Sequence, residues 1–193
     1  MILPGVIASS GGVASSYESI STVTVGSGGS ASITFSSIPQ TFSHLQIRYM
    51  ARDNRATYGI GDIGIQFNSD TTAGHYVAHT LYGDGAAATA VAYTSGYNYS
   101  YLGVGTLGTT TGGTFGVGVV DVLNYTSANT NKTVRSLTGV DINGTIAGYG
   151  GRVALTSGLW MATSLAAITS IVIVSQTGTL QNYSSFALYG VKA

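Results

Sequence analysis

Short runs of alternating apolar and polar residues, each closed by Gly, Pro, Asn or Ser, recur along this chain of 193 residues and predict one strand after another. The clearest is His44–Asn54. Leu45, Ile47, Tyr49 and Ala51 fall on one face, and His44, Gln46, Arg48, Met50 and Arg52 on the other. Ser19–Val25 alternates weakly: Ile20, Thr22 and Thr24 share one face, Ser19, Ser21, Val23 and Val25 the other, so the inward face is not evident. After the Gly26–Gly29 turn, Ala31–Phe35 puts Ile33 and Phe35 together. Further strands are predicted at Asp62–Phe67, His75–Leu81, Phe115–Tyr125, Thr133–Asp141, Arg152–Leu159, Ile168–Ser175 and Phe186–Val191. That density of strands, with no long helical period, predicts an all-β antiparallel sandwich and excludes a βαβ arrangement.

Three segments fall outside this pattern. Trp160–Ala167 (WMATSLAA) has a locally helical composition and predicts one helical turn. Gly83–Thr114, rich in Ala, Thr, Gly and Tyr, reads as long loops at one end of the sandwich with no strong core strand. Residues 1–17 read as an extended N-terminal arm whose apolar tip (Ile2, Leu3, Val6, Ile7) precedes a Ser/Gly/Ala stretch. Such a terminus orders only on a surface such as a neighbouring subunit. Residues 18–193 then form a single β-sandwich domain.

Composition sharpens the picture. With 28 Gly, 23 Ser and 25 Thr against 7% charged residues, the chain disfavours helices, while 44% hydrophobic residues and 13 Tyr suffice for a core. Seven acidic and seven basic residues give zero formal charge. This excludes a nucleic-acid binder and a polybasic membrane anchor, and favours self-association or work inside an assembly. There is no Cys, hence no disulfide, thiolate metal site or Cys nucleophile. Met1–Ala14 has no basic leader-type region, and the longest apolar run, Leu165–Val174, is far too short to cross a membrane as a helix.

Candidate chemistry is sparse. His75 and His79 lie in an apparent strand, about 13 Å apart, too far to share a metal ion. His44 begins another strand without a nearby acid. Asp53, Asp70, Asp84 and Asp141 stand where turns begin and are expected in Asx turns rather than in a glycosidase pair. Asp121, inside VVDVLNY, is expected to pair with an arginine. Arg48, Arg52 and Arg55 form the one basic concentration, suited to a carboxylate-bearing protein partner or simply solvated. Tyr93, Tyr97, Tyr99 and Tyr101 form the densest aromatic cluster, open to two readings: burial against another subunit, or stacking on sugar rings. No nucleophile elbow, phosphate loop or dinucleotide fingerprint occurs, so neither an enzyme nor a cofactor is expected.

The segments SSYESISTVTV, ITFSSIPQTFSHLQIRYMARDNR, IGIQFNSDTTAGHYVAHTLYGDG, AITSIVIV and SSFALYGVKA give the chain, from Ser15 to Ala193, a resemblance to small virion structural proteins of tailed bacteriophages, including cyanophages. The Ser-Ile-Pro-Gln-Thr turn, the Leu-Tyr-Gly-Asp-Gly turn and the terminal Leu-Tyr-Gly are its most specific pieces. The resemblance implies a jelly-roll-like sandwich, oligomerised in the particle, and supplies no catalytic residue. The expectation is a capsid decoration or cement protein on the phage head, a homotrimer bound to the major capsid protein. Its contacts would be made by the arm and by Arg48, Arg52 and Arg55. The alternative is a tail or fibre component binding host glycans through Tyr93–Tyr101.

Overall fold

Among the described residues twelve strands form two antiparallel sheets. The computed structural model describes residues 15–55, 60–94, 96–106, 113–141, 151–176 and 178–192; Ile2, Leu3, Val6 and Ile7 lie outside them. The large sheet has the order β1 (Tyr17–Thr24), β12 (Ser185–Val191), β3 (His44–Ala51), β8 (Gly116–Leu123), β9 (Lys132–Asp141), β10 (Gly151–Trp160), β5 (Tyr76–Gly83) and β6 (Ala88–Tyr93). The small sheet has the order β2 (Ser32–Phe35), β11 (Ile171–Ser175), β4 (Ile60–Phe67) and β7 (Ser100–Thr106). The protein is a β-sandwich, and helix is absent among the described residues.

The core lies between the sheets. Leu45, Ile47, Tyr49 and Ala51, the predicted inward face of β3, are all buried there, opposite Ile63, Ile65 and Phe67 of β4. The weak alternation of β1 has a structural cause. The register shifts between Ser19 and Ser21, so one extra residue bulges out of the ladder with β12. The bulge reverses the parity, and Ile20 and Val23, three apart, both pack against the core.

Three expectations need correction. β3 ends at Ala51, not Asn54; the chain leaves the ladder there, and Asp53 forms an isolated bridge to Leu180. Gly83–Thr114 holds two strands, β6 and β7, and β7 is a core strand with Leu102 fully buried. β7 is hidden to pattern reading because its neighbours across the core are small. Ser100 packs at Gly158, Gly103 at Thr138, and the Ser136 hydroxyl donates to the Leu102 carbonyl. Finally, Trp160–Ala167 forms no helical turn. Trp160 closes β10, and the following backbone bonds to distant elements: Met161 N–H to the His75 carbonyl (2.7 Å) and Ile168 N–H to the Tyr125 carbonyl (2.8 Å). The segment crosses the end of the sandwich extended and buries Ile168, and those partners outcompete a local i→i−4 bond.

Candidate interaction surface

Because side chains alternate across each strand, every inward residue of the large sheet leaves an outward neighbour. The paired registers line these up into rows running across six strands, β3-β8-β9-β10-β5-β6. One row reads Arg48–Val119–Leu137–Leu155–Leu81–Ala90. Its four large apolar residues are open to solvent, with exposures of 40% for Val119, 58% for Leu137, 49% for Leu155 and 54% for Leu81. The next row toward the β9–β10 turn reads Met50–Val117–Gly139–Val153–Gly83–Ala88, and the row on the other side reads Gln46–Asp121–Arg135–Ser157–His79–Ala92. Single exposed Val or Leu residues are ordinary, but a contiguous band of this kind is the candidate interaction surface. Shallow hollows lie between the rows, one of them bounded by His79, Leu81, Ala90, Ala92, Leu155 and Ser157.

Asp121 does pair with an arginine: Arg135 Nη2 lies 3.2 Å from its Oδ2, and Gln46 Nε2 donates to its Oδ1 at 2.9 Å. The three arginines do not share one face. Only Arg48 stands on the open sheet, its Nε donating to Gln46 Oε1 at 2.9 Å and its guanidinium lying against the rings of Tyr17 and Tyr189. Arg52 turns to Thr114, donating to its carbonyl at 3.3 Å, and Arg55 donates to the Ile60 carbonyl at 3.0 Å. The early end of β3 separates them.

The tyrosines pack on one another instead of standing in an open row. Tyr93 stacks on Tyr101 with ring centroids 5.1 Å apart, Tyr97 meets Tyr93 edge-on at 5.4 Å, and Tyr99 meets Tyr97 at 6.0 Å. Tyr101 is buried with Ile60, Ala78 and Val140 in a second small core. Tyr99 lies over Gly64, where a Cβ would collide with its ring. Asp62 sits beside them. Burial pushes its carboxyl up, against the charges of Arg55 and Arg152 and a hydrogen bond from Tyr101. The cluster therefore serves as internal packing between β6 and β7.

Three of the four turn acids make the expected turns, and residues 142–150, which follow Asp141, lie outside the described residues. Asp53 Oδ1 accepts from Arg55 N–H, Asp70 Oδ1 from Thr72 N–H, and Asp84 Oδ1 from Ala86 and Ala87 N–H, as Asx turns require. His44 Nδ1 accepts from Asn124 N–H at 3.1 Å, while His79 is exposed on the outer face. Among the described residues no group of three or more His, Cys, Asp or Glu could hold a metal.

One array escapes sequence reading. His75 Nδ1–H and Trp160 Nε1–H both donate to Asp70 Oδ2 at 2.8 Å, and His75 Nε2 lies 3.2 Å from the Thr163 hydroxyl. The order acid–imidazole–hydroxyl is that of an activated nucleophile. However, the nearby N–H groups of Thr72, His75 and Met161 are all taken up by the chain's own bonds and cannot serve an oxyanion. The array instead fastens the β4–β5 turn to the segment after β10. Burial would raise the Asp70 carboxyl, but the bonds from His75, Trp160 and Thr72 outweigh it and hold it well below the usual carboxylate range. A carboxyl depressed in the folded state contributes stability that is present above its unfolded pKa and lost as pH falls through the folded value. Asp70→Ala is thus expected to cost about 3 kcal/mol at neutral pH, measured by urea unfolding. The deficit should begin to shrink below about pH 4, the unfolded carboxyl value, and go on shrinking toward the depressed folded one, where wild type loses the same bonds. An unchanged deficit over that range would show that the carboxylate charge is not what holds the turn.

No family model matches the chain, and neither a curated protein nor a solved structure matches it.

Proposed function

We propose that this chain is a non-enzymatic virion structural protein of a tailed bacteriophage, a decoration or cement protein that bridges capsomers on the head. It acts through the outer face of its large sheet and requires no cofactor. The observation that carries the reading is the exposed band Val119–Leu137–Leu155–Leu81 on a neutral, charge-poor body. A cement protein adds stabilising contacts without chemistry, and apolar burial supplies roughly 25 cal/mol per Å². Strand order lends support by analogy. The series β1-β12-β3-β8 over β2-β11-β4-β7 alternates between sheets in the manner of a jelly roll, a fold common in viral capsids, with β5–β6 and β9–β10 as additions to one sheet. Those additions carry Leu137, Leu155 and Leu81, so all of the apolar band but Val119 lies on the part that extends beyond the eight-stranded frame. The partner is the major capsid protein. The arm tip, Ile2, Leu3, Val6 and Ile7, remains a proposed contact beside Arg48, whereas Arg52 and Arg55 are engaged within the chain.

The test is to label the protein and image intact virions. Hundreds of copies over the head, with Leu137→Arg reducing incorporation at least tenfold, are expected. A handful of copies at the tail would replace the reading with host recognition and return attention to Tyr93, Tyr97 and Tyr99.

A further inference from the structure

The outer face of the large sheet matches itself. Its six open strands have a centre line between β9 and β10. A two-fold axis along that line would lay β9 on β10 of a second copy, β8 on β5, and β3 on β6. Under this operation the row Val117–Gly139–Val153–Gly83 meets its own reverse: Val153 falls on Gly139 and Val117 on Gly83. These are projections opposite hollows. Val117 and Val153 are 53% and 57% exposed, and no atom lies within 4 Å of where a Cβ at Gly139 would be. In the middle of the central row Leu137 meets Leu155 and Val119 meets Leu81, apolar on apolar.

Charge follows the same symmetry. In the third row Asp121 is placed opposite His79, Arg135 opposite Ser157, and Gln46 opposite Ala92; in the central row Arg48 meets Ala90. No like charges oppose each other, and the one acid meets an imidazole. We infer that the occupant of this face is a second copy of the chain, packed sheet on sheet as an isologous dimer. This rests on the reading of the face as an assembly surface, but puts a second copy of the chain on it, so that contact with the major capsid protein falls to the arm and the remaining surface of the dimer.

The area is adequate. Each outward residue covers roughly 33 Å² of sheet, from the strand rise and spacing, so three rows of six span about 600 Å² before surface roughness is counted. A standard interface takes about 800 Å² per partner. Tyr17 and Tyr189, flanking Arg48, are placed to continue the contact past the β6 edge of the second copy. A trimer is not favoured by this face, because a patch that pairs with itself closes at two copies.

Sedimentation of the full chain at micromolar concentration is expected to give a dimer, and Leu137→Arg to weaken it at least 100-fold without altering the far-ultraviolet spectrum. Register is read separately. The chain has no Cys, so Val119→Cys and Leu81→Cys each carry a single thiol. A short bis-maleimide should join a mixture of the two and neither alone, since like positions are offset by about 14 Å across three strand spacings. A monomer, a trimer insensitive to Leu137→Arg, or equal cross-linking in all three samples overturns the inference. If wild type is monomeric yet Leu137→Arg still abolishes incorporation into virions, the face takes a different protein. The self-pairing then fails while the assembly role stands. If Leu137→Arg changes neither dimer nor incorporation, both fail.

Discussion

Titrated upward from about pH 9, the protein unfolds cooperatively between about pH 11 and pH 12. Burial raises the hydroxyls of Tyr49, Tyr76 and Tyr101 far above their ordinary value of 10.0. Tyr99, also desolvated, is pushed up to about 12. A group whose folded pKa is raised contributes stability that is fully present below the unfolded value and lost as pH climbs toward the folded one. Above about pH 10 the unfolded chain binds fewer protons than the folded one at each of these positions, so every tyrosine lowers stability by about 1.4 kcal/mol per pH unit. Tyr49, Tyr76 and Tyr101 alone give a slope of about 4 kcal/mol per unit, against a total stability of about 5–15 kcal/mol. Near-ultraviolet dichroism together with tyrosinate absorbance at each pH measures this. The absorbance step of the buried phenols should coincide with the dichroism change, since these ionise only on unfolding. Ionisation of all 13 tyrosines near pH 10 with the fold intact would contradict the burial of the three. Tyr49→Phe should move the midpoint upward.

Gly103→Ala is expected to cost about 4 kcal/mol. Two terms add. Gly103 has φ 144°, a conformation that an L side chain adopts only under strain. A Cβ there would also come within 2.5 Å of Thr138 Oγ1, on a buried side chain of β9. Thr138→Ala removes the hydroxyl and methyl that the new Cβ strikes. Its own cost should be small, because that buried hydroxyl has no hydrogen-bond partner. In the double variant it should therefore recover about half the loss, leaving the backbone term of roughly 2 kcal/mol. Urea unfolding of the four proteins closes this cycle. A single Gly103→Ala cost under about 1 kcal/mol would mean that β7 does not lie against β9 as described.

Both effects arise at positions that the sequence reading treats in opposite ways. Leu45, Ile47, Tyr49 and Ala51 were legible because β3 is central, buried on one face and regular, so its period survives in the residues. Asp121 was legible because a lone carboxylate inside a strand needs a cation. β7 was not, since Ser100, Gly103 and Gly105 record a close approach of backbones and carry almost no hydrophobic pattern. The Tyr93–Tyr101 cluster was visible as composition only. Whether four rings face outward or one another depends on the turn between β6 and β7 and on Gly64, which makes room for Tyr99. The Asp70–His75–Trp160–Thr163 array joins residues 90 positions apart across the Trp160–Asp70 bond, and no local spacing announces it.

By itself the sequence determines the all-β class, ten of the twelve strands, and a neutral body without thiol chemistry. Period-two alternation, turn residues and charge are local properties, readable one segment at a time. The tertiary structure decides what those segments expose. Val119, Leu137, Leu155 and Leu81 are ordinary alternating residues in four separate strands, and they become one apolar band only because the register sets them side by side. Register is a relation between strands distant in the chain, set by the packing of their inward faces, and it creates the surface on which the proposed function rests.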